Sequence, residues 1–156
     1  MTRSELASLD SHSKAELIVQ ERCEGPEVTV DAFVLPEDGY THAVARQRID
    51  VKAGVCVKAR LFADPELTSM ASVIASAFQL EGTFCFQVMQ LRGRWALTDL
   101  NPRPGAGTSM SIAAGSDFFA AMFAQAFGED FTRFLDRLDG SVFVTRQYAD
   151  FLHAGP

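Results

Sequence analysis

Apolar and polar residues fall into two adjoining strand-like runs, GTFCFQVMQL at 82–91 and RWALTDLN at 94–101, split by Arg92-Gly93. Both runs are rich in β-branched and aromatic residues, which predicts an antiparallel hairpin with a short loop. Loop length decides what each face carries. With a three-residue loop ending on Gly93, Gln90 lies opposite Arg94, and side chains of one parity share a face across both strands. One face then holds Phe84, Phe86, Val88, Ala96, Thr98 and Leu100, and the other Cys85, Gln87, Met89, Trp95, Leu97, Asp99 and Asn101. Gln87, Asp99 and Asn101 point the same way in that register and meet diagonally. A two-residue loop shifts the pairing by one and separates Gln87 from Asp99.

The same reading extends to the rest of the chain. Residues 1–15 form a polar arm, and residues 16–156 form one domain. ELIVQER at 16–22 predicts a short strand that Gly25-Pro26 ends, EVTVDAFVL at 27–35 a second, Tyr40 to Val51 a third and Val55 to Phe62 a fourth. Such short connections favour an antiparallel meander over a parallel sheet, which needs long crossovers. Asp64 and Pro65 open a helix over 65–79, the first as N-cap and the second where its missing N–H is harmless. Its apolar face reads Leu67, Met70, Val73, Ile74, Ala77 and Phe78. Thr108 or Ser109 caps a short helix to Ala114, and Ser116 or Asp117 caps another to Phe127 that is apolar nearly all round and therefore expected to be buried on more than one side. Residues 130–138 carry helical spacing, and Ser141 to Tyr148 predicts a last strand. The fold class is α+β, an antiparallel sheet flanked by helices.

Composition narrows the function classes. A chain of 156 residues buries roughly 70% of its unfolded surface, enough for a real core. The net charge of −6 argues against general affinity for nucleic acid or anionic membranes, while leaving room for a local basic patch. No run approaches the roughly 20 apolar residues of a membrane helix, and the polar start lacks the apolar core of a signal peptide, so the expected location is cytoplasmic. Cys23, Cys56 and Cys85 are widely spaced and indicate neither a disulfide framework nor a zinc site; they are read as small core residues.

Candidate chemistry gathers at the end of the hairpin. Asp99, Asn101 and Gln87 offer hard oxygens of the type Mg²⁺ takes when phosphate and water complete its octahedron. Arg103 adds a planar fork for phosphate or carboxylate. The plainer reading is a turn, since Asn-Pro is a turn signal. Gly105-Ala106-Gly107-Thr108 is a weak anion-loop signal with no following Lys. Arg46 and Arg48 either reach an anionic substrate or lie on a solvated strand edge.

Several spaced motifs together resemble one family. EVTVD at 27–31, RQRIDVKAG at 46–54, VKAR at 57–60, DPEL at 64–67, GTFCFQ at 82–87 and TDLNPRPGAG at 98–107 resemble the C-terminal part of the ATP-grasp domain, most closely its carbamoyl-phosphate-synthetase-like branch. The likeness runs in order over roughly residues 16–128. It implies the C-terminal subdomain of an ATP-grasp fold, with Gln87, Asp99 and Asn101 holding magnesium against the phosphates of ATP and Arg103 facing the transferring phosphate. It further implies that Glu27 accepts from the ribose hydroxyls, that backbone around Gln20 to Cys23 forms the hinge beside adenine, and that Lys52 and Lys58 border the nucleotide. Asp99 stands where the family usually has Glu, which favours one metal ion over two.

The implied function is the MgATP-binding part of an ATP-dependent carboxylate ligase working through an acyl phosphate. Family enzymes carry, before this region, a substrate domain and a small lobe that clamps the phosphates. Only about 15 polar residues precede the hinge-like segment here, so the chain is expected to be incomplete and inactive alone, with a second chain or a dimer supplying or covering the missing lobe. The alternative is a non-catalytic interaction module that keeps the fold for assembly as a dimer.

Overall fold

A meander of three long strands starts the domain: β1 (Glu24–Leu35), β2 (Tyr40–Lys52) and β3 (Val55–Phe62), preceded by a short helix α1 (Arg3–Ser8). Helix α2 (Pro65–Phe78) leads to the hairpin β4 (Gly82–Leu91) and β5 (Arg94–Asn101). Helices α3 (Thr108–Ala113) and α4 (Phe118–Ala126), a single 3-10 turn at Thr132–Phe134 and the strand β6 (Ser141–Thr145) complete it. This computed structural model describes residues 3–9, 17, 20–147 and 152. The six strands form one antiparallel sheet of order β5-β4-β1-β2-β3-β6. No helix among the described residues is long and apolar enough to cross a membrane.

Strand alternation gives the sheet two apolar faces. Val28, Val30, Ala32 and Val34 of β1 meet Leu67, Ala71, Ile74 and Ala75 of α2 on one face. Phe33 and Leu35 meet Met110 of α3 and Phe118 and Ala121 of α4 on the other. Asp64 caps α2 by accepting from the N–H groups of Glu66 and Leu67 at 2.8 and 3.2 Å.

The structure corrects several expectations. No separate strand occupies residues 20–22; residues 16, 18 and 19 lie outside the described set. The first strand instead begins at Glu24 and runs through Gly25-Pro26, because an irregularity between Glu24 and Val28 takes those residues out of the ladder, where Pro26 has no N–H to contribute. The helical spacing at 130–138 yields only the 3-10 turn. The last strand ends at Thr145, and Tyr148 lies outside the described residues. On α2 the buried face is centred on Ala71 and Ala75, leaving Val73 66% and Phe78 57% exposed. Helix α4 is covered on one side only: Phe119, Phe123 and, just past its end, Phe127 are 42, 63 and 80% exposed. Cys56 and Cys85 are buried as expected, whereas Cys23 is half-buried.

One buried polar cluster sits beneath α4. His42 on β2 is 6% exposed and its Nε2 lies 3.0 Å from the Ser116 hydroxyl, which donates to the Asp136 carbonyl at 3.0 Å. The serine oxygen therefore accepts from Nε2–H of a neutral imidazole. Burial, with the nearby Arg137 cation adding to it and Asp136 opposing it, lowers the His42 pKa from 6.5 to about 4. The folded pKa lies below the unfolded one, so the unfolded chain binds the extra proton in that window. Stability present above pH 6.5 is lost as the pH falls toward 4, by roughly 3 kcal/mol. Urea denaturation should show that decline, and His42→Gln, which keeps a hydrogen-bonding side chain without a titrating ring, should flatten it. An unchanged slope in the variant would remove His42 as its source.

Candidate functional site

The β4–β5 hairpin has the two-residue loop, with Arg92 and Gly93 both at positive φ, 53° and 77°. That backbone matches the right-handed strand twist and suits a glycine at its second position. Leu91 pairs with Arg94 and Gln90 with Trp95, so the three-residue register is corrected. A bulge between Gln87 and Val88 then inserts Thr98 as an extra β5 residue, so that Gln87 faces Asp99 directly and Cys85 faces Asn101. The three oxygen-bearing side chains thus share a face, as expected, by a different route. Below the bulge the faces swap: Trp95 turns toward the α2-side core, where it packs, Leu97 takes the same face but stays exposed, and Ala96 joins the Met89 side.

Asp99 and Asn101 are tied at 2.6 Å, Asn101 Nδ2 donating to Asp99 Oδ2. This leaves the amide oxygen of Asn101 and one carboxylate oxygen of Asp99 without that bond. Among the described residues no group of three or more His, Cys, Asp and Glu side chains is placed to enclose a metal. One carboxylate and two amides fit a hard divalent cation that arrives with phosphate and water as its remaining ligands.

Beside this ribbon end opens a cleft of about 250 Å³. Gln87 and Asn101 form one wall, and four guanidiniums, Arg46, Arg48, Arg103 and Arg146, form much of the rest. Its floor is held by a buried carboxylate. Asp31 on β1 is 0% exposed and accepts from Arg46 at 3.2 Å, from the Thr108 hydroxyl at 2.8 Å and from the Ser111 hydroxyl at 2.6 Å. Thr108 Oγ1 in turn accepts from the Gly105 N–H at 3.0 Å. These contacts strap the loop 102–107 and α3 onto the sheet. A Cβ on Gly107 would fall within the Arg46 guanidinium, so the glycine is required for that approach. Arg146, just after β6, reaches the same loop, donating to the Ala106 carbonyl at 3.2 Å and the Ser109 hydroxyl at 2.8 Å. Burial, and then the Asp31 carboxylate, raise the Cys85 thiol above its ordinary range, which keeps it protonated and unsuited to nucleophilic work.

The structure brings together Gln87, Asn101 and Arg103 in the cleft, with Asp99 at its edge. Arg46 and Arg48 prove to be anchored cleft residues and not a solvated edge: Arg46 pairs with Asp31, and Arg48 with Glu27 at 3.0 Å. Glu27 is therefore engaged by Arg48 at the cleft wall. Gln20 is exposed ahead of β1, Cys23 sits in a separate depression with Arg22 and Glu24, and Lys58 lines another with Lys52 and Asp50. Asp31 and Arg146 were missed from the sequence. A carboxylate between apolar residues of a central strand is itself a signal that a cationic partner is buried nearby. Arg146 carried no comparable signal.

Removing Asp31 leaves Arg46 buried without its counter-charge. Asp31→Ala should destabilise the fold by about 3–5 kcal/mol in urea denaturation, and the double replacement Asp31→Leu with Arg46→Met should recover part of the loss. A near-neutral Asp31→Ala would show that the pair does not organise the site.

Comparison with known proteins completes the picture. A sequence family described as ATP-grasp in the biosynthetic pathway with Ter operon matches residues 13–143. Comparison with curated proteins gives no match. Among solved structures, the chain is similar to the phosphoribosylaminoimidazole carboxylase ATPase subunit from Aquifex aeolicus, with TM-score 0.54 and 14% identity over 67% of this chain and 35% of that one. It is similar to phosphoribosylglycinamide synthetase from Anaerococcus prevotii, with TM-score 0.55 and 16% identity over 73% of this chain and 32% of that one. It is also similar to pyruvate carboxylase from Rhizobium etli, with TM-score 0.57 and 14% identity over 76% of this chain and 13% of that one. The chain thus spans about a third or less of each of these proteins, and at such identity the likeness is one of fold. With a family match over residues 13–143 and a sheet shared with these structures, the chain belongs to the ATP-grasp family found in the biosynthetic pathway with the Ter operon.

Proposed function

We propose that this chain is the MgATP-binding part of an ATP-dependent carboxylate ligase, its residues 16–156 forming the C-terminal lobe of an ATP-grasp domain of the carbamoyl-phosphate-synthetase-like branch. The observation that carries the reading is the convergence of Gln87, Asp99 and Asn101 beside a cleft lined by four arginines. Gln87, Asp99 and Asn101 would hold the cation by their oxygens, and Arg103 would face the transferring phosphoryl group. When bound, Mg²⁺ offsets the negative charge that gathers on the phosphoryl oxygens.

In the reaction proposed, a carboxylate oxygen of the acceptor forms a bond to the γ-phosphorus while the bond from that phosphorus to the β,γ-bridging oxygen breaks, and ADP leaves with the electron pair. An amine or similar nucleophile then bonds to the acyl carbon, inorganic phosphate departs with the electrons of the C–O bond, and the nucleophile gives up its proton to solvent. The chain's part in this is positioning and charge stabilisation. Arg103 is exposed, and among the described residues its guanidinium donates to the adjacent Pro104 carbonyl at 3.1 Å, a contact with a neutral group that it can give up to turn onto the phosphoryl oxygens. The cleft is open on one side, so phosphates bound here stay in contact with water unless a second lobe covers them. For that reason the isolated chain is proposed to bind MgATP weakly and turn over negligibly.

A second reading, a non-catalytic module that dimerises, is favoured by the exposed row of Phe119, Phe123 and Phe127. Light scattering separates the two, since that reading requires a dimer whose mass Phe123→Glu returns to that of the monomer.

Titration with ATP in the presence and absence of Mg²⁺ tests the ligase reading. Magnesium should tighten ATP binding, and Asp99→Ala should remove that gain, by about tenfold or about 1.4 kcal/mol. Metal-independent ATP binding, equal in the variant, would overturn it.

A further inference from the structure

The four guanidiniums of the cleft are not equally neutralised. Arg46 is paired with Asp31 and Arg48 with Glu27. Arg103 and Arg146 form no ion pair among the described residues; each donates to neutral groups of the loop 104–109. The Nε atoms of Arg46 and Arg48 are buried with no hydrogen-bond partner among the described residues.

Arg146 also lines a second depression of about 470 Å³ with Lys52, Lys58 and Asp50. Arg146 is the residue that the two cavities share. The second carries three cations against the single carboxylate of Asp50. Lys58, which the family resemblance places beside the nucleotide, lies here and not in the cleft that holds Gln87 and Asn101. With the nucleotide phosphates assigned to Gln87, Asn101 and Arg103, the cations Arg146, Lys52 and Lys58 have no share in them.

We propose that Arg146 binds the acceptor of the ligation, and that this acceptor is an acid with a second anionic group, a dicarboxylate or a phosphorylated carboxylic acid, whose far end lies between Lys52 and Lys58. The acceptor role rests on the ligase reading; the dianion site rests on the charges alone. One carboxylate of the acid reaches into the cleft toward Arg103, where the γ-phosphate is presented. The second anion stays on the far side of Arg146, which fixes the direction in which the acid lies.

Calorimetric titration of the full chain with acetate, succinate and 3-phosphoglycerate, without nucleotide, tests this directly. Succinate or 3-phosphoglycerate should bind at least about tenfold more tightly than acetate, and the tighter of the two identifies the second group as carboxylate or phosphate. Arg146→Gln and, separately, the exposed Lys58→Gln should each weaken the dianion toward the affinity of acetate. MgATP titrated in saturating dianion should still bind, because only one carboxylate of the acid enters the cleft and the second anion lies beyond Arg146. Equal binding of acetate and both dianions, dianion binding indifferent to both substitutions, or mutual exclusion with MgATP would each overturn the proposal. Dianion binding through Arg146 in a protein that takes no MgATP would leave the site standing and sink only the ligase reading.

Discussion

The ion pair between Asp31 and Arg46 is the constraint on which the site depends. Two charges placed inside a sheet lose their hydration, and their mutual attraction offsets that loss only when the remaining lone pairs are also met. Thr108 and Ser111 meet them, and both lie on the first turns of α3. The requirement to satisfy one buried carboxylate therefore fixes where the loop leaving β5 must go. Gly107 lets that loop lie flat against the Arg46 guanidinium, and Arg146 holds it from the other side through Ala106 and Ser109. The segment beyond Asn101 is thus pressed against β1 and β2, and a cationic cleft forms where the ribbon ends.

The hairpin shows how sequence patterning reaches a sound conclusion by a wrong intermediate. Strand limits at 82–91 and 94–101 were legible because the apolar alternation is long and Arg92-Gly93 interrupts it sharply. The loop length was not, and the three-residue register put Trp95 on the ligand side. A bulge is a cooperative choice of two paired strands: Thr98 carries no mark of its own, yet skipping it returns Asp99 to Gln87 while sending Trp95 to the core. Elsewhere local pattern was overruled by packing. Phe119 and Phe123 look buried in a periodicity plot, but the sheet offers α4 only one face, and a 9-residue helix covers what it touches. The spacing at 130–138 suits a helix, and the chain there instead makes one turn and returns to bridge Ser116 with Leu135.

Family likeness and geometry contribute different things. The spaced motifs point to the ribbon end and to Arg103, and the fold places these together. They contain Asp31 and Arg46 without marking them as a pair, and they do not reach Arg146; Ser111 on Asp31 and Ala106 on Arg146 lie 80 and 40 positions away in sequence. Those long-range contacts divide the basic surface into a cleft facing the ribbon and a depression facing β2 and β3, with Arg146 between. On the reading proposed above, the nucleotide phosphates would lie in the cleft and the far anion of the acceptor in the depression, with the Arg146 cation between them.

The central claim is that the oxygens of Gln87, Asp99 and Asn101 meet the metal carried by a nucleotide. Paramagnetic broadening reads this most directly: with Mn²⁺ replacing Mg²⁺, side-chain amide resonances are followed by NMR as MnATP is added. The account predicts that the Gln87 and Asn101 amides broaden first, while Gln47, Gln79 and Gln125 stay sharp. Broadening centred on those other amides, or none at ATP concentrations that bind, would contradict it.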